Sequence, residues 1–176
     1  MRYYRAESCC LSVSQGCPCG NLGHPRKACR CLATQIAKYR GKLSGPLLDR
    51  IDLHIEVPPV PFALLTDNRP ESESSATIRE RICKARKVQA ERYHGQKFVT
   101  NALLSSRQIK EHCVLTPDAA DLLKQAMERF GLSARSYDKL RKVSRTIADL
   151  DNSEKIEVEH ISEALQYRAL DRKVWL

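Results

Sequence analysis

Apolar and polar positions alternate most cleanly in SGPLLDRIDLHIEV, residues 44–57. Ile51, Leu53, Ile55 and Val57 fall on one side, with Asp52, His54 and Glu56 on the other. This is the period-two pattern of a half-buried strand, with Arg50 at its entrance. Ahead of it, Thr34 can cap a short helix from Gln35 to Lys42, whose Ile36, Tyr39 and Leu43 share a face before Gly41 and Gly45-Pro46 stop it. Behind it, the prolines of Pro58-Pro59-Val60-Pro61 cannot donate to a ladder and predict an extended turn.

From Thr77 onward the pattern is helical. Thr77 with Glu80 reads as a capping box, opening a helix in which Ile78, Ile82, Ala85 and Val88 form a stripe beneath a basic face of Arg79, Arg81, Lys84, Arg86 and Lys87. Ser105 or Ser106 opens a short helix to about Cys113. Thr116-Pro117-Asp118 starts another, which Gly131 ends after Phe130. Its core face is Ala120, Leu123, Ala126, Met127 and Phe130. Ser133 caps Ala134 to about Leu150, with Tyr137, Leu140, Val143 and Ile147 apolar, and a last helix runs from about Glu159 to Tyr167. Thr66 to Ser75 (TDNRPESESS) is the most loop-like stretch. The fold class is α+β and mostly α: a first part over 1–65, a linker over 66–76 and a helical domain over 77–176. A bundle of short helices does not by itself specify a function.

Composition narrows this picture little: 176 residues, 42% apolar and 29% charged, suit a globular protein with one core or two small ones. Apolar runs such as Phe62 to Leu65 are far shorter than the roughly 20 residues that cross a bilayer, and the first 30 residues are too polar for an export signal. We therefore expect a cytoplasmic protein with no membrane partner, whose 8 cysteines are reduced thiols, some of them on a metal. Charge adds more. The formal net charge is +9, and before Gly45 eight basic residues, from Arg2 to Lys42, face the single acid Glu7. Clustered cations favour a polyanion such as nucleic acid, because neutralised phosphates release their counterions; the alternative is a solvated basic surface.

Within that basic region lie Cys17-Pro-Cys19 and Cys29-Arg-Cys31, joined by a Gly/Pro/Asn-rich loop that holds His24. Two pairs of soft thiolate donors on a flexible loop can wrap one tetrahedral zinc, and the neighbouring arginines and lysine would offset the charge. The alternative is a metal-free reduced loop. His24 reads as a loop histidine, since four cysteines complete the shell. No G-x-x-x-x-G-K-[ST] occurs, nor an apolar strand ending in Asp-Glu to hold magnesium, so this chain alone is not expected to hydrolyse ATP.

CPCG, CRC, SGPLLDRIDLHIEVP, SSATIRERICKAR, LSARSYDKLRKVSRTIADL and HISEALQYR, in that order, resemble the C-terminal half of the magnesium-chelatase-like AAA+ ATPases of the ComM (YifB) family from about Cys17 to Arg168. The resemblance implies a partial AAA+ core followed by a helical lid. It further implies an ATP- and magnesium-dependent hexameric ring that remodels branched DNA in recombination and transformation. Arg50 in LLDRID then matches the arginine finger, which acts across a subunit interface, and Arg135 in LSAR matches the sensor 2 arginine at the start of a lid helix. From spacing alone, Arg50 would instead pair with Asp49 or Asp52, and Arg135 would be one more exposed helix cation. The family pattern NPCPCG puts a phosphate-sensing asparagine where this chain has Gln15, a degenerate sensor 1 following Leu11–Ser14, which lack the buried-strand pattern. An abrupt start at the cysteine box reads as truncation, leaving finger and lid with nothing to grip ATP. Two alternatives stand beside this: a stand-alone zinc-dependent nucleic-acid-binding module, and a magnesium-chelatase-type motor subunit.

Overall fold

A computed structural model of the chain describes residues 16–24, 26–42, 44–55, 57, 60, 73–96 and 100–168. The lead-in over 1–14, Gln15, Leu43, the prolines at 58, 59 and 61, the Phe62 to Leu65 run and most of the expected 66–76 linker lie outside the described residues. The chain folds as two compact units that part between Ser44 and Gly45.

In the first unit, tight turns precede one helix. Gly20 and Gly23 adopt φ of 75° and 76°, a conformation that costs a residue with a Cβ. Helix α1 spans Ala33–Arg40. Its N-cap is Leu32 rather than the expected Thr34, because Gln35 in the first turn reaches back and its Oε1 accepts from the Leu32 N–H at 3.0 Å.

The second unit opens with a single turn, α2 (Gly45–Leu48), followed by extended backbone. Here the expected strand needs a correction. Among the described residues, 51–57 join no ladder. The supposed inward positions Leu53, Ile55 and Val57 are 44%, 69% and 83% exposed and Ile51 is half-buried, whereas on the other side His54 is buried and Asp52 exposed. The physical reason is that the segment lies against the last helix instead of beside a strand, with the His54 N–H donating to the Tyr167 carbonyl at 2.6 Å.

The remainder is α3 (Ser75–Arg92), a 3-10 turn (Asn101–Leu103), α4 (Ser106–His112), α5 (Pro117–Phe130), α6 (Ala134–Leu150) and α7 (Val158–Gln166). Helix α3 starts earlier than expected: Ser74, not Thr77, is its cap, its hydroxyl accepting from the Thr77 N–H at 3.2 Å, while Glu80 pairs with Lys84 one turn on. The expected stripe also fails at this end. Ala85 and Gln89 are buried against the bundle, but Ile78 and Ile82 are 38% and 47% exposed, because the first turns of α3 run past the core.

Elsewhere the termini follow the local chemistry. Thr116 caps α5 with Pro117 in its first turn, Gly131 ends it in the left-handed conformation at φ 59°, and Ser133 caps α6 two residues later. Helix α6 is central, packing on α7, α3, α4 and the 3-10 turn, with α5 on α7. Leu123, Leu140, Ile147, Ala148, Ile156, Ile161 and Ala164 fill the space between, and an isolated parallel bridge joins Leu115 to Ile156. The fold is mostly helical and lid-like. Among the described residues no helix is long and apolar enough to cross a membrane.

Beside this core lies a buried polar cluster. The Asp149 carboxylate accepts from Arg92 at 2.5 and 3.0 Å, from Arg145 at 3.0 Å, from Asn101 at 2.8 Å and from Gln89 at 3.1 Å. Arg145, 1% exposed, also donates to the Ser153 and Glu154 carbonyls. One carboxylate thus ties α3, the 3-10 turn, α6 and the loop after it, and each buried donor is matched by an acceptor.

Candidate metal centre and arginine site

In the first unit, the loop brings together the four cysteines predicted from the spacing. Cys17 Sγ lies 3.4 Å from Cys19 Sγ and 3.6 Å from Cys29 Sγ, Cys19 lies 3.6 Å from Cys29, and all four sulfurs including Cys31 fall within 4.8 Å of one another. Four thiolates at about 2.3 Å from a tetrahedral zinc sit about 3.8 Å apart. The cluster fits that ion.

Their acidities are pulled apart. The Asn21 and Arg30 backbone N–H groups and neighbouring thiols bring Cys19 down to about 6. For Cys31 the Cys19 backbone N–H favours the thiolate, but burial and the other three thiols push it up to about 12. Four sulfurs this close cannot all ionise without a cation to share their charge, and a divalent soft-accepting ion supplies one. His24 is used by the loop itself, its Nδ1 accepting from the Arg26 and Lys27 N–H groups at 3.0 and 3.1 Å. Arg26, Lys27 and Arg30 are exposed around the cluster.

In the second unit, Arg50 and Arg135 come to the same end of α6. Arg135 is an exposed residue in the first turn of α6, lining with Ala134, Asp138, Lys139 and Lys142 an open groove of about 380 Å³. With Lys139 paired to Asp52, Arg135 and Lys142 still outnumber the one acid Asp138, and beside a helix N-terminus this makes a favourable place for an anion. Arg50 is exposed in the turn after α2.

Neither carboxylate that could have neutralised Arg50 does so. Asp49 Oδ1 accepts from Ser133 Oγ at 2.9 Å and Ser136 Oγ at 2.7 Å, and it lies 3.8 Å from Arg168. Asp52 pairs with Lys139 at 2.8 Å. Among the described residues no ion pair holds the Arg50 guanidinium, so the expected pairing with Asp49 or Asp52 is not formed. The hydroxyls of Ser136 and Ser133, with the Arg168 and Arg135 charges, hold the Asp49 carboxyl below the usual range against the push of burial. Sequence reasoning missed Asp49, Ser136, Lys139 and Arg168 as part of this site. No local spacing signals contacts between residues more than eighty positions apart. Gln15, the degenerate sensor 1, lies outside the described residues.

Comparison with known proteins accounts for both regions. The family described as magnesium chelatase, subunit ChlI C-terminal, matches residues 72–168, and magnesium chelatase, subunit ChlI, matches residues 1–65, reaching nearer the start than the Cys17 expected from motifs. Over 138 residues the chain is 45% identical to the competence protein ComM of Haemophilus influenzae, covering 78% of this chain and 26% of that protein. It is 42% identical to YifB of Salmonella typhimurium over 143 residues, 81% of this chain and 28% of that protein. Identity to Rv2897c of Mycobacterium tuberculosis is 30% over 165 residues, 94% of this chain and 32% of that protein. The chain therefore spans about a quarter to a third of the length of the relatives it matches. With cysteine loop, arginine turn and helical unit all inside matched segments, the chain belongs to the magnesium-chelatase-like AAA+ family of ComM and YifB.

Proposed function

We propose that the chain supplies the trans-acting arginine and the helical lid of a ComM-like ring ATPase that remodels branched DNA in recombination or transformation. The observation that carries this is Arg50, an exposed guanidinium whose two flanking carboxylates are engaged elsewhere, at the same end of α6 as Arg135. Within a homo-oligomeric ring in the cytoplasm, Arg50 stabilises charge on the terminal phosphate held by a neighbouring subunit, through a planar fork that suits phosphate oxygens. Arg135 contacts the phosphate at its own subunit's lid, where the helix dipole adds to its charge. ATP with magnesium supplies the transferable phosphoryl group. In this reading residues 1–65 belong to the AAA+ core, 66–76 link it to the lid, and 77–176 are the lid; having no phosphate-loop motif, the chain is inactive alone. Cys17, Cys19, Cys29 and Cys31 hold a structural zinc, supported by their sulfur separations.

The test is complementation. The chain is mixed with Haemophilus ComM whose own finger arginine is replaced by alanine, and ATP turnover is measured. The wild-type chain is expected to restore turnover and Arg50→Ala to restore none; restoration by neither, or by both alike, overturns the finger role.

A second reading, a zinc-dependent nucleic-acid-binding module, is favoured by the exposed Arg26, Lys27 and Arg30 around the cysteine cluster. Tight DNA binding that a chelator abolishes selects it over the first.

A further inference from the structure

Arg50 is gripped by its backbone on both sides. On one side Asp49 is received by Ser133 and Ser136, and Arg168, 3% exposed, donates both to Ser136 Oγ at 3.0 Å and to the Ile51 carbonyl at 2.5 Å. On the other side Lys139 Nζ pairs with Asp52 and also donates to the carbonyl of Arg50 itself. The Lys139 side chain is 16% exposed. Cations withdrawn this far from water are costly unless bonded, so the carbonyls and carboxylates of 49–52 are partners that these side chains do not readily give up. These contacts act on the backbone and on the neighbouring carboxylates, and none of them engages the Arg50 guanidinium. A group that must meet a phosphate on another molecule benefits from this combination, since its backbone need not be ordered on contact.

We propose that Asp49, Ser136, Lys139 and Arg168 are positioning residues that clamp Arg50 to the N-terminal half of α6, so that Arg50 and Arg135 move as one body. The clamp rests on the finger reading of Arg50 and deepens it: one helix end carries a direct phosphate contact at Arg135 and, through the clamp, a second contact aimed at a neighbouring subunit. Displacement of α6 at one nucleotide is then transmitted mechanically to the next, through a contiguous set of bonds.

The test is backbone ¹⁵N relaxation on the full 176-residue chain. In the wild type, Arg50, Ile51 and Asp52 are expected to have order parameters of about 0.85, equal to α6. Lys139→Met and, separately, Asp49→Ala are expected to lower them below about 0.6 while the order parameters of α6 and α7 stay at their wild-type values, and Lys139→Arg restores the wild-type values. Values below about 0.6 in the wild type, or wild-type values in both Lys139→Met and Asp49→Ala, overturn the clamp. This readout contains no nucleotide, so failure of the clamp leaves the complementation result standing, and failure of the finger leaves the relaxation result standing.

Discussion

Asp149 shows how much one side chain can organise. Its two oxygens face two guanidinium groups and two carboxamides, all brought from α3, the 3-10 turn and α6. Burial pushes its carboxyl up, but Arg92, Asn101 and Arg145 outweigh that and hold it below the usual range. Since the folded form binds the proton less readily than the unfolded one, the stabilisation is complete above about pH 4 and is lost as pH falls through the lowered value. Acid unfolding followed by circular dichroism should therefore be shallower in Asp149→Ala than in the wild type. The same variant leaves the buried Arg145 and the half-buried Arg92 without a counter-charge, and urea titration at neutral pH should show a loss of about 3–5 kcal/mol. This network was not legible beforehand. Arg92 reads as one more basic position on a charged helix, and its partner stands 57 residues away.

At the scale of elements, the helix ends were the most readable feature, because capping is local chemistry. Thr116-Pro117, Gly131 and Ser133 lie within the segments they govern and mark the ends of α5 and α6. At φ 59° with nothing within 4 Å of an added Cβ, Gly131 is kept for its backbone alone. Gly131→Ala should cost about 1–2 kcal/mol by thermal denaturation, with no change in packing. Ser133 has two duties, receiving the Ser136 N–H at 3.1 Å and donating to Asp49 at 2.9 Å. Ser133→Ala should cost about 1 kcal/mol from the cap and also loosen residues 49–52, visible as faster hydrogen exchange of the Ile51 amide. Residues 51–57 show where periodicity misleads. Alternation reports two faces, but which positions are covered depends on the neighbour, and here His54, whose N–H donates to the Tyr167 carbonyl at the end of α7, is the buried one.

For the whole molecule, two compact units with different means of cohesion imply separable responses. No residue of α1 is buried, so among its described residues the first unit has little apolar core and the cysteine cluster is its main source of cohesion. Elemental analysis of protein purified without chelator should find one zinc per chain, and Cys17→Ser or Cys31→Ser should reduce it; freely titratable thiols with no metal would sink the assignment. Chelator should alter the first unit's amide exchange and leave the unfolding of the helical unit unchanged. With a formal net charge of +9, any DNA binding should weaken steeply as salt rises, measured by fluorescence anisotropy across a salt series. The sequence by itself determined the helical class, the ends of α5 and the start of α6, the four candidate ligands and the family, because caps, glycines and motif spacing are short-range and survive in one dimension. Only the tertiary structure decided that His54 rather than the apolar positions of 51–57 is buried, how Asp149 is surrounded, and that no described carboxylate pairs with Arg50 at the end of α6 that carries Arg135. Each of those depends on which distant carboxylate, carbonyl or hydroxyl the fold brings within about 3 Å, the range over which hydrogen bonds and ion pairs are made.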